Sequence, residues 1–278
     1  MIRSVRPRKT SWQRRTAPVV LTIAGSDCSG GAGIQADLKT FAALGIYGTS
    51  AITCIVAEHP GRVLRITPLP PARVAEQIRA VLEAFPVAAI KIGMLGSRAI
   101  IDAVEKAIGP ALDAGVPLVI DPVMMASAGG SLLKNDALPA LRRLIGRATL
   151  VTPNRDEAAR LTGLTIDDLP ALRAAALALA RDFAGPHILV KGGHLRSGAA
   201  VDLLASPKGK ITRFASPRIR NVDPHGTGCT YSAAIAAGLT RDLALPAAIA
   251  LAKKFITRAL KQRLKIGAYE MLNHFAEE

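Results

Sequence analysis

The chain has 278 residues at 29.1 kDa, half of them hydrophobic and 21% charged, which excludes global disorder and suits one large α/β domain with a sizeable core. Cys28, Cys54 and Cys229 show neither metal-ligand nor disulfide-framework spacing, so a structural zinc site is excluded and a reducing, cytoplasmic setting is expected. No apolar run approaches the length that crosses a bilayer, and residues 19–24 run into Ser26 and Asp27 without a cleavage pattern, which argues against a membrane partner and a secretion signal.

The net charge is +15, and Arg3, Arg6, Arg8, Lys9, Arg14 and Arg15 supply six of those charges from a start that contains no acid. Residues 1–17 are expected to form a basic, disordered tail ahead of a single domain over 18–278. Such a tail could touch nucleic acid. With one Trp and three Tyr the chain is short of platforms on which bases stack, so a nucleic-acid partner is not expected. An anionic small ligand suits the remaining positive excess equally well.

From residue 19 onward, strand-length apolar runs alternate with helical periodicity. Residues 19–23 predict a strand, followed by a glycine cluster and then Ile34, Leu38, Phe41 and Leu44 at helical spacing. Further strands are predicted over 50–56, 88–92, 118–120, 150–151 and 187–190, with helices over 74–85, 100–111 and 169–183. Near 58–71 and again over 201–217 the pattern becomes short and hairpin-like, as in a lid or sheet edge. Short buried strands alternating with helices predict a mostly parallel sheet covered on both faces, with ligands beyond the carboxyl ends of its strands.

Three of those strand ends carry unusual residues. Between the first strand and helix stands Gly25-Ser26-Asp27-Cys28-Ser29-Gly30-Gly31-Ala32-Gly33. Its glycines let backbone approach a ligand, although an ordinary tight turn fits the same residues. It has neither the Lys-Ser of a Walker loop nor dinucleotide spacing. Asp37 follows on the helix, where a surface charge is the plain expectation. His225-Gly226-Thr227-Gly228-Cys229-Thr230 leads into a small-residue helix over 232–239 and can aim consecutive N–H groups at one anion. A thiol there is expected to ionise more readily than the free value of about 8.5, as a base or nucleophile; an inert buried Cys is the alternative. Thr152-Pro153-Asn154-Arg155-Asp156-Glu157 predicts a capping box, and the same Glu157 could organise water around a magnesium ion. Lys191, in Val190-Lys191-Gly192-Gly193-His194, could place a cation over phosphate.

Together these strings resemble the ribokinase-like family, and within it the hydroxymethylpyrimidine/phosphomethylpyrimidine kinases of thiamine biosynthesis. The resemblance rests on LTIAGSDCSGGAGIQADLKTFAALGIYG (21–48), KIGML (91–95), DPVM (121–124), TPNRDEA (152–158), VKGGH (190–194) and HGTGCT (225–230), in that order. It implies a three-layer α/β fold with a mostly parallel central sheet, helices on both faces and a small hairpin lid or edge. The implied activity is ATP-dependent, magnesium-assisted phosphorylation of 4-amino-5-hydroxymethyl-2-methylpyrimidine and then of its monophosphate, by a homodimer. Cys229 would take the substrate proton, and Gly226 and Gly228 would form the anion hole. Lys191, Asn154 and Thr227 would serve the nucleotide, with Glu157 and Asp121 toward the metal. Gly25, Asp37, Glu58 and Met94 would serve the pyrimidine. A pyridoxal kinase and a non-catalytic pyrimidine sensor are the alternatives; Glu58, able to accept from an exocyclic amine, favours the aminopyrimidine. The chain departs from the family pattern at Cys28 (usually Pro), at His59-Pro60 (usually Asn-Thr), at Ala128-Gly129 and at 267–271, where a Gly-Pro turn is expected.

Overall fold

The computed structural model describes residues 17–125, 129–193, 195, 198–219 and 225–277. The tail expected over 1–17 lies outside the described residues except for Ala17, as do Ala128 and His194.

Among the described residues, nine strands form one sheet: β1 (Val19–Asp27), β2 (Tyr47–His59), β3 (Arg62–Pro68), β4 (Val87–Ile92), β5 (Leu118–Ile120), β6 (Leu150–Val151), β7 (His187–Lys191), β8 (Ala200–Ala205) and β9 (Ile211–Ser216). Their order is β3-β2-β1-β4-β5-β6-β7-β8-β9. The strands from β2 to β7 in that order run parallel, while β3 pairs antiparallel with β2 at one edge and β8 and β9 add antiparallel strands beyond β7 to the other edge. This is the mostly parallel α/β sheet that the sequence pattern predicts, with the hairpin edge that the resemblance implies.

Side-chain alternation divides the core into two layers. Leu21, Ile23, Ile90, Ile92, Leu118 and Ile120 face one way, onto α2 (Pro71–Ala84), α3 (Arg98–Asp113), α4 (Leu138–Ile145), α5 (Arg155–Thr162) and α6 (Leu169–Phe183). Val20, Ala89, Val119 and Leu189 face the other way, onto α1 (Gly33–Ala43), α7 (Thr227–Leu239) and α8 (Leu245–Lys261). Covered on both faces, the central strands read as continuous apolar runs. Within this second layer α7 is buried from Thr230 to Gly238, and its small residues permit that: a Cβ on Gly238 would come within 2.9 Å of the Ala248 Cβ of α8.

The sequence pattern starts the small-residue helix at Ser232, but α7 begins at Thr227, so Thr227, Gly228 and Cys229 form its first turn. The C-terminal helix α8 and the hairpin β10 (Leu264–Ile266) and β11 (Tyr269–Met271) escape the apolar pattern, because α8 is alanine-rich and the hairpin is largely exposed. In place of a Gly-Pro turn, Gly267 at φ +59° makes the bend of that hairpin.

Candidate active site

The strand order reverses at β1, with β2 on one side and β4 on the other, and such a switch point opens a crevice at the carboxyl ends of the strands. The candidate side chains stand along those ends, with Asp37 the exception. Gly226 (φ +85°) turns the chain into α7, and a Cβ there would lie 1.8 Å from the Gly31 carbonyl oxygen. Only glycine therefore lets the loop before α7 touch the loop after β1. A Cβ on Gly228 would meet Lys191 Nζ at 3.2 Å and Asp121 Oδ2 at 3.4 Å. The bare first turn of α7, with half-buried Thr227 at its start, thus faces a cation, and both attract phosphate.

Cys229 occupies the junction of two helix starts. It lies in the first turn of α7, and its sulfur accepts a hydrogen bond from the backbone N–H of Gly33, where α1 begins. The expected easy ionisation is not found: burial pushes the thiol up to about 11, outweighing the attraction of Lys91, with repulsion from Asp37 and Asp121 added. Helix dipoles do not offset the loss of water here.

Beneath this junction lies Lys91 of β4, fully buried. Its ammonium donates to both carboxylate oxygens of Asp37, at 3.0 and 2.8 Å, and Thr22 Oγ1 donates to Asp37 Oδ2 at 2.5 Å. Burial opposes the charge on Lys91, but the Asp37 carboxylate, with Cys229 and Asp121 adding to it, holds the ammonium's pKa above its ordinary value. Asp37 is therefore neither a surface charge nor placed to touch a pyrimidine, since it is itself fully buried with its oxygens on Lys91 and Thr22. Lys91 is the site residue that residue-by-residue inspection of the sequence misses. The one signal for it is a lysine among the apolar residues of a central strand.

The crevice beside β1 and β2 gathers the other pyrimidine candidates. A Cβ on Gly25 would meet Cys54 Sγ at 2.8 Å and Met94 Sδ at 3.5 Å, so backbone and two sulfurs make a flat floor. Thr53 Oγ1 donates to the Met94 carbonyl at 2.7 Å and holds that floor in place. Asp27 organises the loop: its Oδ1 accepts from the Ser29 N–H, and its Oδ2 from Ser29 Oγ and the N–H groups of Gly31 and Ala32. His225 Nε2 lies 3.1 Å from the same Oδ2 and 3.9 Å from Glu58 Oε2. Burial works against the Asp27 charge, but these donors, His225 first, win and hold its pKa well below the usual carboxylate range. Glu58 is pushed up, by burial first and then by the Asp27 charge, with His225 opposing.

Three of the departures from the family pattern, at Cys28, His59 and Tyr269, lie around the end of β2 that carries Glu58. Cys28 Sγ donates to the Glu58 carbonyl at 3.2 Å and accepts from its N–H at 3.4 Å. His59 Nδ1 lies 3.0 Å from Tyr269 Oη, which joins the β2–β3 hairpin to the C-terminal hairpin.

At the nucleotide end the capping box is present. Asn154 Oδ1 accepts from the Glu157 N–H at 2.9 Å and Glu157 Oε2 accepts from the Asn154 N–H at 2.8 Å. Glu157 is buried and pushed up to about 7, chiefly by that burial, against the pull of Lys191. Lys191 donates to Asp121 Oδ1 at 2.8 Å; Thr152 Oγ1 lies 3.2 Å from the same oxygen, and Ser232 Oγ lies 3.4 Å from Oδ2. Asp121 is thus the counter-ion of Lys191 through Oδ1, while its Oδ2 has only the long Ser232 contact. Glu157 also accepts from the Met124 N–H, so this donor set fits a magnesium ion carried by nucleotide phosphates and water, with Glu157 acting through water. Among the described residues, the Asp, Glu, His and Cys side chains close enough to share one ion are Asp27, Glu58 and His225, at the other end of the crevice.

The phosphomethylpyrimidine kinase family model matches residues 27–274. The chain belongs to this family. It is 43% identical over 253 residues to the hydroxymethylpyrimidine/phosphomethylpyrimidine kinase of Streptomyces coelicolor, covering 91% of this chain and 92% of the relative. Among solved structures, an ADP complex of Bacillus subtilis pyridoxal kinase matches with a TM-score of 0.84 at 34% identity, covering 94% of this chain and 98% of that one. The phosphomethylpyrimidine kinase of Clostridium difficile matches with a TM-score of 0.74 at 38% identity, covering 87% and 99%. The protein is a phosphotransferase of the kinase type. Among the described residues, no helix is long and apolar enough to cross a membrane.

Proposed function

We propose that this kinase uses Mg-ATP to phosphorylate the hydroxymethyl group of 4-amino-5-hydroxymethyl-2-methylpyrimidine and then the resulting monophosphate, yielding the diphosphate for thiamine biosynthesis. The observation that carries the reading is the place of Cys229 in the first turn of α7, beside Gly228, whose added Cβ would meet Lys191 Nζ at 3.2 Å. The flat ring lies on the Gly25–Met94 floor, and Glu58 accepts from its exocyclic amine. The alcohol oxygen attacks the γ-phosphorus while its proton passes to the ionised Cys229 sulfur, and the bond to the β–γ bridging oxygen breaks to release ADP. The α7 amides and Lys191 stabilise the charge on the transferring group. Magnesium, bound to the nucleotide phosphates, supplies further charge neutralisation, with Glu157 and Asn154 bordering its water. In the second step a phosphate oxygen takes the place of the alcohol.

Names among the relatives agree, including a bifunctional thiamine-biosynthesis protein of Geobacter sulfurreducens that is 44% identical over 257 residues. A homodimer in the cytoplasm belongs to the same reading, and light scattering tests the dimer. The pyridoxal alternative draws on the high structural likeness to the Bacillus subtilis enzyme. Against it stands Glu58, because pyridoxal carries no exocyclic amine. Competing initial-rate assays with Mg-ATP and both acceptors, read by mass spectrometry for mono- and diphosphate, separate the two. Faster turnover of pyridoxal overturns the pyrimidine reading, and binding of the pyrimidine without product converts it to a sensor.

A further inference from the structure

Asp202 brings a charge into an apolar stretch of the sheet. On β8 its neighbours Val201 and Leu203 enter one core layer and Leu204 the other, so Asp202 points with Leu204 toward α7 and α8. It is 2% exposed, and its Oδ2 accepts from Lys253 Nζ of α8 at 2.6 Å. A buried ion pair is commonly no more stabilising than apolar residues of the same volume. Fold stability alone therefore gives no reason to keep this one.

The other carboxylate oxygen shows what the pair holds. Asp202 Oδ1 accepts at 3.1 Å from the backbone N–H of Gly192, the residue directly after Lys191. In the antiparallel ladder Asp202 is the register partner of Lys191 itself. Gly192 is also pressed against β8, since a Cβ there would collide with the Val201 carbonyl oxygen. The Lys191 N–H in turn donates to the Pro153 carbonyl at 2.9 Å. The backbone that carries Lys191 is thus fixed on both sides, and Asp202 supplies the side-chain half of that fixation. Lys253 extends the link to the active-site helix: its Nζ lies 5.8 Å from the centre of the Tyr231 ring, three residues beyond Gly228 on α7.

We propose that Asp202 is a positioning residue for phosphoryl transfer: its carboxylate, neutralised by Lys253, fixes the Gly192 amide and so aims the Lys191 ammonium at the first turn of α7. The inference rests on the reading of Lys191 as the cation that meets nucleotide phosphate. Lys191 Nζ rests on Asp121 at 2.8 Å, and a Cβ on Gly228 would stand 3.2 Å from it. A long side chain aims only as accurately as its backbone, and a misplacement of about 1 Å can cost about 10²-fold in rate.

The test is steady-state kinetics with Mg-ATP and the hydroxymethylpyrimidine, on variants shown by thermal melting to be folded. Asp202→Leu/Lys253→Met removes the pair without leaving a bare buried charge. It should lower kcat/KM for ATP by about 10- to 100-fold while KM for the pyrimidine stays near the wild-type value. Asp202→Ala/Lys253→Met, which lets water reach the Gly192 amide, makes the same removal should leucine not fit. Asp202→Asn/Lys253→Met keeps an acceptor for that amide and should recover most of the loss. In a Lys191→Met background the leucine pair should cost no more than about twofold further, because the group it aims is gone. Wild-type kcat/KM in the folded leucine or alanine pair overturns the proposal, as does an equal loss in the asparagine pair or a full further loss without Lys191. Lys191→Met with unchanged kcat/KM for ATP overturns instead the reading of Lys191 on which the proposal rests.

Discussion

Cys229 is not equally needed in the two transfers proposed for this site. The alcohol must lose a proton on attack, whereas a phosphate monoester, with a second pKa of about 6, is already anionic at neutral pH. A thiol held near 11 is mostly protonated under assay conditions, so the active thiolate is the minor form and increases about tenfold per pH unit. The first phosphorylation should therefore accelerate from about pH 6.5 to about pH 9, while the second should not follow that slope. Replacing Cys229 by Ala should slow the first step by a factor of about 10² to 10⁴, the usual scale for losing a positioned base, and spare most of the second. Separate kcat/KM measurements with the alcohol and with the monophosphate check both statements. Equal losses in the two steps would show that the sulfur acts on binding or on the phosphate instead. Glu58 also acts at this scale, since only its ionised form is a pure acceptor for an amine. Glu58→Gln keeps the shape and should raise KM for the pyrimidine by about tenfold, with a smaller effect on pyridoxal.

The two glycines of the anion hole are not equivalent within their element. Gly226 has a left-handed backbone against the Gly31 carbonyl, where a methyl group has no space. Gly226→Ala should push the loops apart, lowering the melting temperature and abolishing turnover together. Gly228 lies inside the first turn of α7, and its added methyl would meet only the ends of Lys191 and Asp121. There Gly→Ala adds helix propensity, up to about 1 kcal/mol, so the fold should survive while KM for ATP rises. Thermal melts paired with nucleotide titration separate the two cases. The contrast also marks what the sequence made legible. Glycines around Thr227, Asn154 with Glu157 three residues on, and the strand ends could be read directly, because each is a local rule of backbone geometry. The sequence pattern begins α7 five residues late, since its first turn holds Gly, Cys and Thr rather than helix formers. Nor could the chain alone reveal that Asp37 faces Lys91, 54 positions away, or that burial defeats the helix dipole at Cys229. Those outcomes depend on which faces the sheet brings together.

For the whole molecule, acid stability depends on how the chain's end is attached to the active-site helix. The segment after β11 returns to α7, where His274, 5% exposed, places Nε2 3.0 Å from Thr230 Oγ1. A neutral ring protonated on its other nitrogen accepts at Nε2 from the Thr230 hydroxyl. Burial, and then the Lys39 charge, lower the imidazole from 6.5 to about 4. The native state therefore holds His274 neutral, while the unfolded chain takes up a proton as soon as the pH drops below about 6.5. The stabilisation is complete above that value and is lost as the pH falls toward 4, on the order of 3 kcal/mol across the window. Glu157 works in the opposite direction: raised from 4.5 to about 7, its native state favours the protonated form, and its contribution falls as the pH rises through that interval. The two slopes oppose each other between about pH 4.5 and about pH 6.5, so the wild-type melting temperature should vary little there and drop below it. Replacing His274 by Gln, which can still accept from Thr230, removes one slope only. Its melting temperature should then rise on acidification from about pH 7 to about pH 5, where the wild type stays level. Parallel curves for the two proteins would mean that His274 does not titrate between the folded and unfolded states.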